Sequence, residues 1–443
     1  MNGETISGRQ SVGESAERSD HSLVVSIANE SLGLLVKSES GSDFRPLRSQ
    51  VGRPIRLGPL DEELRIPSFF AHLLPDASRR RLLASKLGCS SDDGFGLLRC
   101  LGGDLVGDIA FSSSLPLRDV SGRSSIDFDD VTHLSREILA LKESSDPVAV
   151  QALLCLPGGS QKMSVHVRTD AISTSIGDSR SSIWSGGPSQ RGDGSIVKSG
   201  PRDDGSSWTP MLAKFEDPRF PGLLTNEALV RRAAFAARVR VPLGLLVAGP
   251  EGESVLVVER FDRGEVWDGH GSPLRLAVED GCQVLGVPAS MRYSVSTEEL
   301  ALALSERCAA VLAMRLEFFR LVVFASLVGH GDLHASNVAV LRNARGEWRL
   351  APAFDLASTA IYGDESMALT IGGKTVYSLS ERDYLELGGV LGLPADLVQS
   401  VCNDLQSRLR KFTTTIVQVK KLTAIEHKVI SEILTRLDRL RLA

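Results

Sequence analysis

Apolar and polar positions alternate over Val24–Ile27 and Leu34–Val36, the period-two pattern of half-buried strands around a polar turn that includes Gly33. Leu60–Leu74 then leads into Pro75-Asp76-Ala77-Ser78 and a basic helical run over Arg79–Leu87, with a further helix over Gly94–Leu101 and a strand over Val106–Phe111. Farther on, Met163–Val167, Met211–Phe215 and Val255–Phe261 read as strands, and Asn226–Val239 places apolar residues at helical spacing. From Arg275 the pattern is mostly helical. Thr297 is a candidate N-cap for a long apolar pattern over Leu300–Val328, one helix or two. Val338–Leu341 and Trp348–Ala351 flank a polar hairpin connection, and Pro394–Leu442 is helical and rich in Lys and Arg. These patterns divide the chain into a loose tail (1–20), a small mixed unit (21–118), a β-rich lobe with one prominent helix (119–263) and a helical lobe (264–443). The segment 173–208 is dense in Ser, Gly, Asp and Arg, has few apolar residues, and is expected to be a mobile insertion.

Composition narrows the class without naming it. The 443 residues are 42% hydrophobic and 24% charged, ordinary values for a chain with a sizeable core, and the net charge of -5 argues against nucleic-acid binding through the whole surface. Six cysteines lie scattered with no C-x-x-C pair, the expectation being reduced thiols in a cytoplasmic protein. The N-terminus lacks the apolar stretch of a signal peptide, and the most apolar stretch, Phe318–Gly329, is too short to span a bilayer, so no membrane association is expected.

The informative chemistry is His330-Gly331-Asp332-Leu333-His334-Ala335-Ser336-Asn337, after an apolar helix and before the hairpin whose second strand runs into Ala353-Phe354-Asp355. An acid and an amide five positions apart, a hairpin, then an acid after an aromatic is the layout of a kinase catalytic loop and metal-binding segment. Phosphoryl transfer needs a carboxylate to orient the attacking hydroxyl, a task that suits Asp332, and hard oxygen ligands for magnesium, which suits Asn337 and Asp355. An Asp and an Asn at this spacing are by themselves ordinary turn residues; the ordered set makes the argument. A kinase also needs a lysine on its β-rich lobe. Lys214 lies in the apolar Leu212-Ala213-Lys214-Phe215, where an edge-strand lysine is the bland alternative, and Glu227 at the start of the following helix is its candidate partner. Pro157-Gly158-Gly159-Ser160-Gln161-Lys162 precedes a strand, and Gly158 and Gly159 permit close backbone approach to phosphate while Lys162 adds charge, although the segment is no Walker motif. Glu259-Arg260-Phe261-Asp262-Arg263 falls where a hinge between lobes belongs. His330 and His334 have no third ligand nearby, and Gly331 disfavours a continuing helix, which argues against a zinc pair.

Together these segments resemble the HipA-like family of bacterial serine/threonine kinases, the toxin components of toxin–antitoxin pairs. The resemblance rests on Leu73-Leu74-Pro75-Asp76, Leu101-Gly102-Gly103-Asp104-Leu105-Val106-Gly107, Gly158–Lys162, Glu259–Arg263, Glu279-Asp280-Gly281-Cys282-Gln283-Val284-Leu285-Gly286 and Asp332–Asn337. It implies an α+β, two-lobed protein-kinase-like fold, with a β-rich N-lobe and a mostly helical C-lobe, preceded by a small α+β N-terminal domain. It implies ATP with magnesium, a protein serine or threonine as acceptor, aminoacyl-tRNA synthetases among the family's targets, and a helix-turn-helix antitoxin through which DNA is bound indirectly. By position it implies base action for Asp332, magnesium ligation for Asn337 and Asp355, phosphate contacts for Lys162 and Lys214, and nucleotide contacts for His334, Glu259 and Phe261. The chain departs from the family pattern at Ser160-Gln161, which leaves the register of the phosphate loop uncertain by one position. It departs again at Val278, and at Cys155, which stands where some members autophosphorylate a serine. Two rivals remain: a small-molecule kinase of aminoglycoside or choline kinase type, whose catalytic loop is similar, and a pseudokinase that chiefly binds an antitoxin.

Overall fold

Leu23, Val25 and Leu35 are fully buried, so the first two strands present one apolar side to a common core. β1 (Ser22–Ile27), β2 (Glu30–Ser38), β3 (Gly41–Pro46) and β4 (Ile109–Ser112) form an antiparallel sheet in the order β3-β2-β1-β4. The structure is a computed structural model. It describes residues 21–27, 30–47, 55–113, 126–128, 140, 156–157, 161–168, 182–184, 200–201, 207–248, 254–267, 273–419 and 421–439. Gly33 lies inside β2 and not in the turn: a Cβ there would fall 2.4 Å from the Arg45 carbonyl oxygen and 2.7 Å from the Phe44 ring. Between β3 and β4 run α1 (Ser68–Ala71), α2 (Ala77–Leu87) and α3 (Gly94–Leu101), the last capped by Asp93, whose side chain accepts from the Gly96 amide at 3.0 Å.

The second sheet has seven strands: β5 (Ile126–Phe128), β6 (Lys162–Arg168), β7 (Ser182–Trp184), β8 (Gly200–Pro201), β9 (Ser207–Phe215), β10 (Gly244–Ala248) and β11 (Ser254–Glu259). Their order is β5-β6-β9-β11-β10-β7, with β8 beside β9. Of the segment 173–208, residues 182–184, 200–201 and 207–208 belong to these strands; its other residues, like the tail 1–20, lie outside the described ones. α4 (Leu223–Ala236) packs against β10 and β11. Buried residues of both sheets, among them Leu23, Met163 and Val257, form one continuous apolar cluster with Phe70 of α1 and Leu98 of α3.

The second lobe opens with the hairpin β12 (Arg263–Trp267) and β13 (Pro273–Arg275), then β14 (Val278–Asp280) and the short α5 (Gly281–Leu285). The expected apolar pattern is two helices, α6 (Thr297–Arg307) and α7 (Val311–Val328), and the N-cap is Ser296, which accepts from Glu299 N at 3.1 Å. β15 (Ala339–Arg342) and β16 (Trp348–Leu350) complete a three-stranded sheet with β14. A hairpin of β17 (Ser366–Ile371) and β18 (Lys374–Val376) precedes α8 (Glu381–Val390), α9 (Ala395–Val419) and α10 (Ala424–Arg439). Phe318, Phe319 and Phe324 of α7 are fully buried in a second apolar cluster that also takes in Leu229, Val230 and Ala233 of α4. Among the described residues no helix is long and apolar enough to cross a membrane. The architecture is thus α+β and two-lobed, a β-rich part followed by a mostly helical one.

Candidate active site

β6 and β9 are antiparallel neighbours, and their register sets Lys162 opposite Lys214. Two buried lysines side by side need anions. Lys214 Nζ donates to both oxygens of Glu227 on α4, at 2.6 and 2.8 Å, and also to Asp355 Oδ1. Lys162 Nζ lies 3.6 Å from Asp355 Oδ2. Burial pulls the Lys214 pKa down, but Asp355 and Glu227 outweigh it and hold the ammonium charged. At Lys162 burial wins: together with Lys214 and Arg79 it outweighs Asp355 and lowers the pKa.

Asp355 follows Phe354 on the loop after β16 and adopts a left-handed backbone, φ 53°. Burial would raise its pKa, yet Lys162 and Lys214 hold the carboxyl far below the usual range. Two hydrogen bonds tie this loop to the helix that carries Glu227: Asn226 Nδ2 donates to the Ser358 carbonyl and Ser358 N to Asn226 Oδ1, both at 2.9 Å.

The loop from His330 to Asn337 is held from several sides. His330 Nδ1 donates to the Ala357 carbonyl at 2.8 Å, and Tyr377 donates to the His330 carbonyl. Gly331 has no room for a side chain, since a Cβ would lie 2.6 Å from both the Ser366 carbonyl oxygen and Thr359 Oγ1. Asn337 Nδ2 donates to the Asp332 carbonyl at 2.8 Å, which fixes the amide. Burial, followed by the charges of Asp355 and Asp364, pushes the Asp332 carboxyl up to about 6, against the lowering effect of the Tyr293 hydroxyl and Arg292. Asp332 and Asp355 therefore have carboxyls shifted in opposite directions, the first raised and the second lowered.

Burial lowers the His334 ring to about 4, so it is neutral at pH 7. Its Nδ1 is buried without a hydrogen-bond partner among the described residues, a polar atom suited to a ligand group. The carboxylate oxygens of Asp355 beside two lysines, with the Asn337 amide on the adjoining loop, are hard oxygens that suit a divalent cation on a polyphosphate. Glu259 ends β11; its amide donates to the Leu243 carbonyl at 2.9 Å, and its carboxylate accepts from Leu243 N at 3.4 Å. Phe261 lies beyond that strand, its ring 5.7 Å from Phe354. Gly158, Gly159 and Cys155 lie outside the described residues.

Several contributors escaped the sequence reading. Arg79 on α2 donates to the carbonyls of Leu156 (2.7 Å) and Lys162 (2.8 Å), gripping both ends of the glycine segment. Its only sequence signal was a basic helical run. Asp104, from the Leu101–Gly107 segment, receives Arg260 at 2.7 Å and also pairs with Arg263. Asp262 joins both arginines, at 2.9 and 2.6 Å. The Glu259–Arg263 segment is thus clamped to the N-terminal domain. Ligand atoms of His72, Asp280 and Cys282 lie within 4.8 Å of one another, but Asp280 is there as the N-cap of α5, accepting from Gln283 N at 2.8 Å.

Residues 155–413 match the HipA-like C-terminal domain and residues 44–112 the HipA N-terminal domain. The chain belongs to the HipA-like kinase family. It is 31% identical to Y4mE of Sinorhizobium fredii, a protein named as a kinase, over 71% of this chain and 69% of that one. It is 24% identical to the serine/threonine-protein kinase toxin HipA of Shewanella oneidensis, over 78% of this chain and 75% of that one. A solved complex of Shewanella oneidensis HipA, HipB and operator DNA contains a chain of similar fold, with TM-score 0.62, 20% identity, and coverage of 94% of this chain and 97% of that one.

Proposed function

We propose that this chain is an ATP- and magnesium-dependent serine/threonine protein kinase that passes the γ-phosphate of ATP to a protein hydroxyl. The observation that carries the reading is the convergence of Lys214, Glu227 and Lys162 on Asp355, with Asp332 and Asn337 on the adjoining loop. Asp332 accepts the proton of the acceptor hydroxyl and orients it. Asn337 and Asp355 would hold magnesium, which when bound neutralises charge on the phosphates. Lys162 and Lys214 face phosphate oxygens. Gly158 and Gly159 let backbone approach them, and His334, Glu259 and Phe261 line the nucleotide side. The domain limits 21–118, 119–263 and 264–443 are part of this reading.

The acceptor is a protein, with aminoacyl-tRNA synthetases the first candidates from the family resemblance. A helix-turn-helix antitoxin is the proposed partner, in line with the HipA–HipB–DNA complex of similar fold. The test is phosphoproteomics after induced expression, with Asp332→Asn as control. New phosphoserine or phosphothreonine sites should appear with the wild type and fall by roughly 10²-fold or more in the variant. An identical set of sites in both would overturn the reading.

A further inference from the structure

Asp332 does not stand alone. Tyr293, in the segment between α5 and α6, donates its hydroxyl to Asp332 Oδ1 at 3.0 Å. Its ring meets His334 edge-on, with centroids 4.9 Å apart and planes at 82°. The neighbouring Arg292 lays its guanidinium over the same ring at 5.3 Å and donates to Asp76 Oδ2 at 3.2 Å. The Arg292 carbonyl accepts from the Ala335 amide of the catalytic loop at 3.1 Å. Asp76 belongs to the Leu73–Asp76 segment of the N-terminal domain, for which the kinase reading gives no use.

We propose that Tyr293 is a positioning residue for Asp332, and that Asp76 and Arg292 extend its support to the N-terminal domain. The inference rests on the proposed kinase reading. One carboxylate oxygen is engaged by the phenol, which leaves the other to meet an acceptor hydroxyl. A carboxylate held on one side has fewer rotamers to lose when the acceptor arrives. The other charged or titratable groups that face Asp332 are Arg292, His334, Asp355, Asp364 and Tyr377. All are kept in the variants below except Arg292, which has its own.

Two measurements on the full chain separate this inference from the kinase reading. The first is the steady-state rate of magnesium-dependent phosphate transfer from ATP to casein and to water. Tyr293→Phe should lower kcat by roughly 10-fold, as expected for loss of a hydrogen bond to a charged group, with KM for ATP unchanged. Arg292→Ala and Asp76→Asn should lower kcat by less. Asp76→Asn should add nothing once Tyr293 is Phe, the signature of residues acting in series. The second needs no turnover: magnesium-dependent ATP binding, which should be the same in Tyr293→Phe as in the wild type. A wild-type kcat in Tyr293→Phe, or a loss of ATP binding with it, overturns the inference and leaves the kinase reading intact. A wild type that transfers no phosphate overturns the kinase reading. Phosphate found on Tyr293 by mass spectrometry would make the phenol an acceptor and overturn the positioning role.

Discussion

Asp355 and Asp332 are carboxylates that folding treats in opposite ways. Asp355 is held in a left-handed backbone, which costs a residue with a Cβ about 1 kcal/mol or more, and its charge answers two buried lysines. Its folded pKa lies far below the ordinary carboxylate value. The stability it contributes is therefore present above that ordinary value and is lost as pH falls toward the folded one. Asp355→Asn keeps a side chain that tolerates the left-handed region but leaves Lys162 and Lys214 with Glu227 alone. We expect it to lower stability at pH 7 by roughly 2–4 kcal/mol, with the gap constant down to the ordinary carboxylate value and only beginning to narrow below it, read by thermal unfolding across pH. A variant as stable as the wild type at pH 7 would mean that these charges do not meet in solution. Asp332 has the reverse sign. Its folded pKa is raised to about 6 from 3.8, so folding favours the protonated form, and that contribution is lost as pH rises through about 6. Asp332→Asn should therefore be the more stable protein at pH 8, by about 1 kcal/mol after allowing for solvent screening of a half-exposed side chain, with no advantage at pH 4. The same measurement checks it: equal melting temperatures at both pH values would deny Asp332 the strain expected of a poised base.

Among elements, the segments that look least chemical do the most to set the site. The Leu101–Gly107 turn delivers Asp104 into a buried group of Arg260, Arg263 and Asp262, and Arg275 reaches in to the carbonyls of Gly103, Leu105, Gly107 and Ile109. Burial alone would raise the Asp104 pKa; the three arginines hold it well below the usual range. Asp104→Asn leaves those arginines buried with one carboxylate among them, Asp262. It should cost about 3–5 kcal/mol and open the Glu259–Arg263 segment to proteolysis, and an unchanged cleavage pattern would show the clamp to be dispensable. Most element positions were legible in the sequence because apolar period and helix-end chemistry are local. Gly94–Leu101 agrees residue for residue, and the hairpin at Ala339–Arg342 and Trp348–Leu350 to within a residue. The misplaced pieces depended on distant neighbours. Gly33 reads as a turn residue until Phe44 and Arg45 of β3 crowd it inside a strand. Val106–Gly107 reads as strand until Asp262 accepts the Gly107 amide at 3.1 Å. In the candidate site, residue type and order singled out Asp332, Asn337, Asp355 and Lys214, and the fold brings Lys214 to Asp355 and Asn337 to the Asp332 carbonyl. Arg79, Tyr293 and Asn226 were not singled out, because their roles depend on partners 39 to 132 positions away and no local spacing encodes those.

For the whole molecule, the family's two matched regions do not correspond to two cores. The small N-terminal sheet and the seven-stranded sheet share one apolar cluster, while a second cluster joins α4, through Leu229, Val230 and Ala233, to the helical lobe. Many polar contacts fasten the N-terminal domain to the kinase lobes, among them Arg79 on the glycine segment, Asp104 on the Glu259–Arg263 segment, Asp76 on Arg292, Arg56 on the Val284 carbonyl and Gln283 on the Phe69 carbonyl. A unit that shares its core and donates side chains to the glycine segment and the Glu259–Arg263 segment is a structural part of the larger body. A domain of under a hundred residues is also marginal when part of its apolar surface is left uncovered. The fragment 21–113 should therefore fail to fold alone, giving a collapsed amide spectrum and strong binding of an apolar dye. The full chain should lose β1–β4 and β9–β11 in a single step, followed by hydrogen exchange in rising denaturant. A well-dispersed spectrum from 21–113, or β1–β4 amides that exchange well before those of β9–β11, would show an independent domain resting on the kinase. The contacts of Asp76 and Asp104 would then belong to a docking interface that can open, and the N-terminal domain could leave the catalytic loops without unfolding.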